Sequence, residues 1–272
     1  MNAKHTLTTG LWILTIFALV TGCSPSASLD DLEEWDLVFI SDNSEMGVPY
    51  YLPKYIEEDT GKTVNLHNYA IMELSAQTVL NALHGDPVDE QFQGQLDGLR
   101  EAVTEAEFIV YFAGNYGDIE GMGDLTGDIG ACWETYSSCT LPDNCTLGAY
   151  QPYTTVVGEI FKEMIALRDG KPTIIRALDF YNPYLDRQEK CGEEMKTECI
   201  QCSKTFSDSI RIAADANHVP LVSIYDLFNG VDHDEDPREK GYIGGFGFFP
   251  STEGFIAIAD RIREEGYEPI TP

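Results

Sequence analysis

The strongest constraint in this chain is an alternation of two hydrophobic periods. Short apolar runs with the composition of buried strands recur between longer stretches whose apolar residues repeat at helical spacing. Residues 35–41 (WDLVFIS), 63–69 (TVNLHNY), 107–112 (EFIVYF), 172–178 (PTIIRAL) and 220–225 (PLVSIY) read as five strands. Helical spacing occupies 50–60, 75–83, 91–104, 153–168, 206–217 and 251–265, with Gly61 and Gly170 as stops. Strands separated by helices cannot form hairpins. They pair in parallel, with the helices crossing over both faces. The expected fold is therefore α/β, a three-layer αβα sandwich around a five-stranded, mainly parallel sheet of the flavodoxin-like kind. A hydrophobic fraction of 43%, with 13 Phe and 14 Tyr, supplies the core for one such domain in 272 residues.

The two ends lie outside that pattern. The apolar run LWILTIFALV at 11–20 follows Lys4 and His5, and is too short for a permanent membrane span. It has the length of a signal-peptide core. The Val20-Thr21-Gly22-Cys23 that follows looks like a bacterial lipobox, in which Cys23 is lipidated and becomes the mature N-terminus. The expected organisation is a signal peptide over 1–22, a lipidated N-terminus and acidic tether over 23–34, a domain over 35–268, and a short tail over 269–272. The other reading of the leader is an ordinary signal peptide with a chance cysteine.

Charge and cysteine content suit export. Forty-six Asp and Glu against 17 Lys and Arg give a formal net charge of −29. Such a surface repels phosphate backbones and anionic lipid, which argues against nucleic-acid partners and leaves the lipid on Cys23 as the route to a membrane. The six remaining cysteines fall in two groups of three, Cys132, Cys139, Cys145 and Cys191, Cys199, Cys202. An even number in an exported chain is expected to form disulfides, with the pairing open. Zinc at Cys199-x-x-Cys202 is the weaker alternative, because neither group contains a His. No cofactor and no metal is expected. The acidic run Asp232, Asp234, Glu235, Asp236 departs from calcium-loop spacing, and Arg238 and Lys240 are at hand to pair with it.

In parallel α/β sheets the ligand site lies beyond the carboxyl ends of the strands. The segments there are 41–47, 70–75, 113–118 and the approach to the last helix. Asp179 and Tyr181, just after the fourth strand, are expected to face the same cleft. The segment 114–150 between the third and fourth strands is long, Gly-rich and holds three cysteines, and reads as a lid or a disulfide-pinned surface loop.

Ser41-Asp42-Asn43-Ser44 after the first strand, Gly114-Asn115 after the third, and the order of the elements resemble the SGNH (GDSL-type) hydrolase family over about residues 35–268. The stretches 177–183 (ALDFYNP) and 226–243 resemble extracytoplasmic members from bacteria such as Chloroflexi. The resemblance implies ester hydrolysis by a Ser nucleophile in a Gly-Asp-Ser turn. It also implies oxyanion donors from the Ser amide, a Gly amide and an Asn side chain, and an Asp-x-x-His base before the last helix. On those positions this chain places Asn43 for the nucleophile, Glu73 for the Gly, Asn115 for the Asn, Phe246 for the Asp and Phe249 for the His. A carboxamide is no alkoxide precursor, and phenyl rings accept no proton. His67, His84, His218 and His233 read as structural. The expectation is an exported SGNH-fold protein, non-catalytic or impaired, that binds a glycan or acyl ligand through Asp42, Asn115, Tyr116, Asp179, Tyr181 and Phe248. Two alternatives stand beside it: an esterase using Ser44 with an unconventional base such as Glu73, and a scaffold or adhesion module.

Overall fold

The computed structural model describes residues 28–42, 47–112, 132, 139–142, 145–244 and 247–270. After one 3₁₀ turn (Leu29–Asp31), the described elements run β1 (Glu34–Ser41), α1 (Gly47–Thr60), β2 (Thr63–Ala70), α2 (Ala76–His84), α3 (Glu90–Leu96), α4 (Leu99–Glu105) and β3 (Phe108–Phe112). They continue with α5 (Gln151–Arg168), β4 (Ile174–Leu178), α6 (Leu185–Lys190), α7 (Glu193–Ala216), β5 (Leu221–Val222), α8 (Ile224–Asn229) and α9 (Thr252–Glu264). The five strands form one sheet in the order β2-β1-β3-β4-β5, with every pair parallel.

The period-2 alternation of each strand sorts its side chains between two cores. Val38, Ile40, Ile109, Tyr111, Ile175 and Ala177 face the layer containing α2, α4, α5 and α7. Leu37, Phe39, Phe108, Val110, Phe112, Ile174 and Leu178 face the layer of α1 and α9. β3 and β4 are buried along their whole length, which is why they read as unbroken apolar runs. Arg176 is the exception inside β4. Its guanidinium is only 2% exposed and donates to the carbonyls of Ile175, Gly266 (2.8 Å) and Glu268, so it ties the chain end beneath the sheet.

Three local expectations are corrected and one further element is found. The helix expected over 91–104 is two, α3 and α4, broken at Gly98, whose φ of +81° lies in the left-handed region. The helix expected over 206–217 begins far earlier, at Glu193. Its first half is acidic and Cys-containing, and Cys199 and Cys202 turn inward, both fully buried. The fifth strand expected over 220–225 is only Leu221–Val222, because Ser223 ends it by accepting the Asp226 N–H and capping α8. The short α6 carries no clear helical period and was not expected.

The cysteines pair across the two groups: Cys132–Cys199, Cys139–Cys191 and Cys145–Cys202. The two cysteines of the C-x-x-C therefore go to different partners, so neither a zinc pair nor a redox pair forms there. All three bonds fasten the β3–α5 connection to the α6–α7 unit, as the disulfide-pinned reading of that segment expects.

Candidate active-site cleft

The carboxyl ends of the strands carry two walls. The first is built where β1 and β2 end. Ile71 N–H donates to the Ser41 carbonyl at 3.0 Å and Glu73 N–H to the Asp42 carbonyl at 3.1 Å, so backbone bonds stitch the two turns. Glu73 holds a φ of +64°, a conformation that favours glycine. The position that the family resemblance reserves for Gly thus keeps a glycine-like backbone while carrying an exposed carboxylate. Beneath the stitch the Asp42 side chain borders a small cavity with Ile40, Leu74, Ala76, Val79, Tyr111 and Phe112. Part of Asp42 reaches solvent, yet its carboxyl is hemmed in by protein, and this desolvation pushes its pKa up to about 7. Burial first, then the Asp42 charge, pushes the Tyr111 phenol up.

The second wall is the approach to α9. Ile243 and Pro250 form an antiparallel bridge, Gly244 N–H donates to the Phe249 carbonyl at 3.1 Å, and Ser251 caps α9 by accepting the Gly254 N–H at 3.0 Å. Three carbonyls of this loop are held from outside. Arg238 donates to those of Gly244 and Gly247, and the Tyr181 hydroxyl donates to that of Phe248 at 2.6 Å. Phe248 is 42% exposed, packs on Phe249 at 4.2 Å between ring centroids, and meets the edge of Tyr184 at 6.4 Å. The helices that follow the two walls, α1 and α9, pack along each other. A Cβ on Gly47, the first residue of α1, would collide with the Phe255 ring, so only glycine permits that approach.

The expected site residues fare differently. Asp42, Glu73, Phe248 and Phe249 all sit on segments beyond the strands' carboxyl ends. Asp179 does not face the cleft. It is fully buried, where Oδ2 accepts from the hydroxyls of Ser207 (2.6 Å) and Ser223 (2.9 Å), and Oδ1 from the N–H groups of Ile224 (2.6 Å) and Tyr225 (2.9 Å). It anchors the start of α8 instead. Desolvation pushes its carboxyl up, and these donors oppose the rise. Tyr181 is also buried, stacked on Phe180 and tilted against Phe228, and its hydroxyl reaches the loop before α9. Cys23, Asn43, Ser44, Asn115, Tyr116 and Phe246 lie outside the described residues.

Three of the four described histidines carry a carboxylate neighbour: His67 with Asp36 (2.9 Å), His84 with Glu163 (3.8 Å), and His233 with Asp226 (2.8 Å) under a stack on Tyr225. His218 precedes β5 and therefore lies at the other end of the sheet. In the acidic run, Glu235 pairs with Lys240 and Asp236 accepts the Arg238 N–H at 2.9 Å. Among the described residues no cluster with metal-holding geometry occurs.

Sequence reasoning missed the polar lattice behind the second wall. Asn182 and Asn229 exchange backbone and side-chain bonds at 2.9 Å each, while Gln188 bonds Asn182 and donates to the Cys132 carbonyl. The Asn-Pro after the fourth strand is its one visible sign.

No family model matches the sequence, and no curated protein matches it significantly. Solved structures do. A lipase from a goat rumen metagenome superposes with a TM-score of 0.53 at 19% identity, over 87% of this chain and 98% of that one. A catalytic mutant of an acetylxylan esterase from Geobacillus stearothermophilus gives a TM-score of 0.51 at 13% identity, over 88% and 97%. The chain has the SGNH-hydrolase fold. At these identities the likeness establishes the fold alone. Within the SGNH fold, the two walls described above are the segments over the carboxyl ends of β1, β2 and β5.

Proposed function

We propose that this chain is an exported SGNH-fold protein, anchored through a lipid on Cys23, that binds a glycan or acyl ligand in the cleft and hydrolyses esters poorly or not at all. The observation that carries the reading is Phe249. It occupies the loop before α9 where the fold's base is expected, its ring packs on Phe248, and the described histidines lie elsewhere with carboxylates or at the opposite end of the sheet. With no imidazole there, a hydroxyl in the first turn has no general base of the usual kind. The exposed Phe248 offers an apolar face for an acyl chain or a sugar ring. The strand polarity suits the anchor: β1 enters from its amino end, so a tether before it joins the domain on the side away from the cleft.

Turnover of p-nitrophenyl acetate tests the reading. The expected result is background rate, with hydrolysis appearing in the combined variant Asn43→Ser, Phe246→Asp, Phe249→His. Turnover by the unaltered chain that Ser44→Ala abolishes would overturn it. That outcome would favour the second reading, an esterase using Ser44, for which Glu73 is the exposed carboxylate on the facing turn.

A further inference from the structure

We infer that the amino end of the sheet carries a second binding site, which takes a small organic ammonium ion through the carboxylates of Asp30 and Glu268. The site lies at the opposite end of the strands from the cleft, and so does not depend on the preceding proposal.

An open cavity of about 710 Å³ lies where the 3₁₀ turn, the start of β1, the end of α1 and residues 267–269 meet. Small-molecule sites typically occupy about 300–1,000 Å³. The apolar lining is Leu29, Trp35, Pro172, Tyr267 and Pro269. The rings of Trp35 and Tyr267 meet edge to face with centroids 6.2 Å apart.

Bonds between separate elements hold this frame open. The Trp35 indole N–H donates to the Leu29 carbonyl at 3.4 Å, and the Lys62 ammonium donates to the carbonyls of Asp30 (2.6 Å) and Leu32. The 3₁₀ turn is thereby tied to β1 and to the chain before β2. Asp59 accepts from the Arg263 Nε–H and from the Tyr267 hydroxyl, both at 2.7 Å, which ties α1 to α9 and to the chain end. Arg176 holds the carbonyls of Gly266 and Glu268 from beneath. A cavity framed in this way is present before any ligand arrives, so binding needs little ordering of the protein.

The same bonds occupy the nearby cations. Arg263 is paired with Asp59, while Lys62 and Arg176 donate to carbonyls, and the Glu268 charge acts on Arg176 only from a distance. Asp30 and Glu268 also line the cavity. Both are exposed, and among the described residues neither carboxylate has a hydrogen-bond or ion-pair partner. The framing segments 30–34, 57–62 and 261–268 hold ten Asp and Glu against Lys62, Arg261 and Arg263, so the local field is negative even with Arg176 added. Two carboxylates on their own would be ordinary surface acids. What makes a site is the preformed, partly aromatic cavity that both border. It repels anions, and it offers a cation with an apolar body both charge and ring contacts.

The test uses the full chain with its disulfides oxidised. The probe is 2-phenylethylammonium, with 2-phenylethanol as its uncharged counterpart, and binding is followed by NMR at the Trp35 indole N–H. A saturable shift of that resonance is expected with the ammonium compound. Binding should be about tenfold weaker or worse for the alcohol, and likewise for the ammonium compound in the combined variant Asp30→Asn, Glu268→Gln. Both substituted side chains are exposed and bond nothing, so amides in β3 should stay as in the unaltered chain. No saturable shift at Trp35 up to about 20 mM probe overturns the site. So does equal binding of the alcohol, or equal binding by the variant. If the variant does not fold, the ammonium compound against the alcohol decides alone.

Discussion

Over β1 and β2 the cleft wall rests on backbone bonds between two turns and on one hemmed-in carboxyl with no cation beside it among the described residues. Over β4 and β5 it rests on side chains: Asp179 with four donors, the Asn182–Gln188–Asn229 lattice, and Arg238 with Tyr181 gripping the loop that presents Phe248. Disulfides reinforce the second wall, since Cys191 closes α6 and Cys199 and Cys202 lie on α7. Both acids, the half-buried Asp42 and the buried Asp179, are pushed up by desolvation. Two hydroxyls and two backbone N–H groups oppose the rise at Asp179, whereas at Asp42 its own backbone N–H does so. The difference teaches that burial alone does not define a carboxyl's job. An acid met by several donors is a fastener, whereas one met by few carries a pH-dependent cost.

That contrast can be broken experimentally, most severely at Asp179. Asp179→Ala leaves two backbone N–H groups and two hydroxyls without their acceptor, and should cost on the order of 4 kcal/mol in urea unfolding. A cost below about 1 kcal/mol would mean that water replaces the carboxylate and that the second wall is not closed. Next comes the disulfide nearest the surface. Cys139→Ser with Cys191→Ser should lower stability by about 2–3 kcal/mol, read as a lower urea midpoint.

Asp42→Asn should act in the opposite direction and only at higher pH. The folded carboxyl holds its proton to about pH 7, whereas an unfolded one releases it near the ordinary aspartate value of 3.8. The folded state therefore keeps its full stability below about pH 4, loses stability as the pH rises to about 7, and changes no further above that. The Asn variant should match the unaltered chain near pH 4 and exceed it by about 2 kcal/mol near pH 8, a figure reduced for the part of Asp42 open to solvent. The smallest stability effect is expected at Phe248→Ala, within about 0.5 kcal/mol because the ring is exposed, while binding of an acyl or glycan probe should weaken.

How much of this was legible in the sequence follows from which forces are local. β3 and β4 were readable because both faces are covered, so every position is apolar or, at Arg176, bonded through its guanidinium to carbonyls brought from the chain end. The start of α7 was not, because what buries residues such as Cys199 and Cys202 is their bonds to a distant segment. The place of the cleft followed from strand polarity. The roles of Asp179 and Asp42 did not, since Ser207 and Ser223 stand 28 and 44 residues from Asp179, and Tyr111 reaches Asp42 only through strand pairing.

The loop before α9 is gripped by its carbonyl oxygens at Gly244, Gly247 and Phe248, through Arg238 and Tyr181. None of these bonds reads the identity of the side chain that the loop displays. Positions 248 and 249 are therefore interchangeable ornaments on a fixed frame. New side chains there can change the surface that the loop presents without asking the chain to refold.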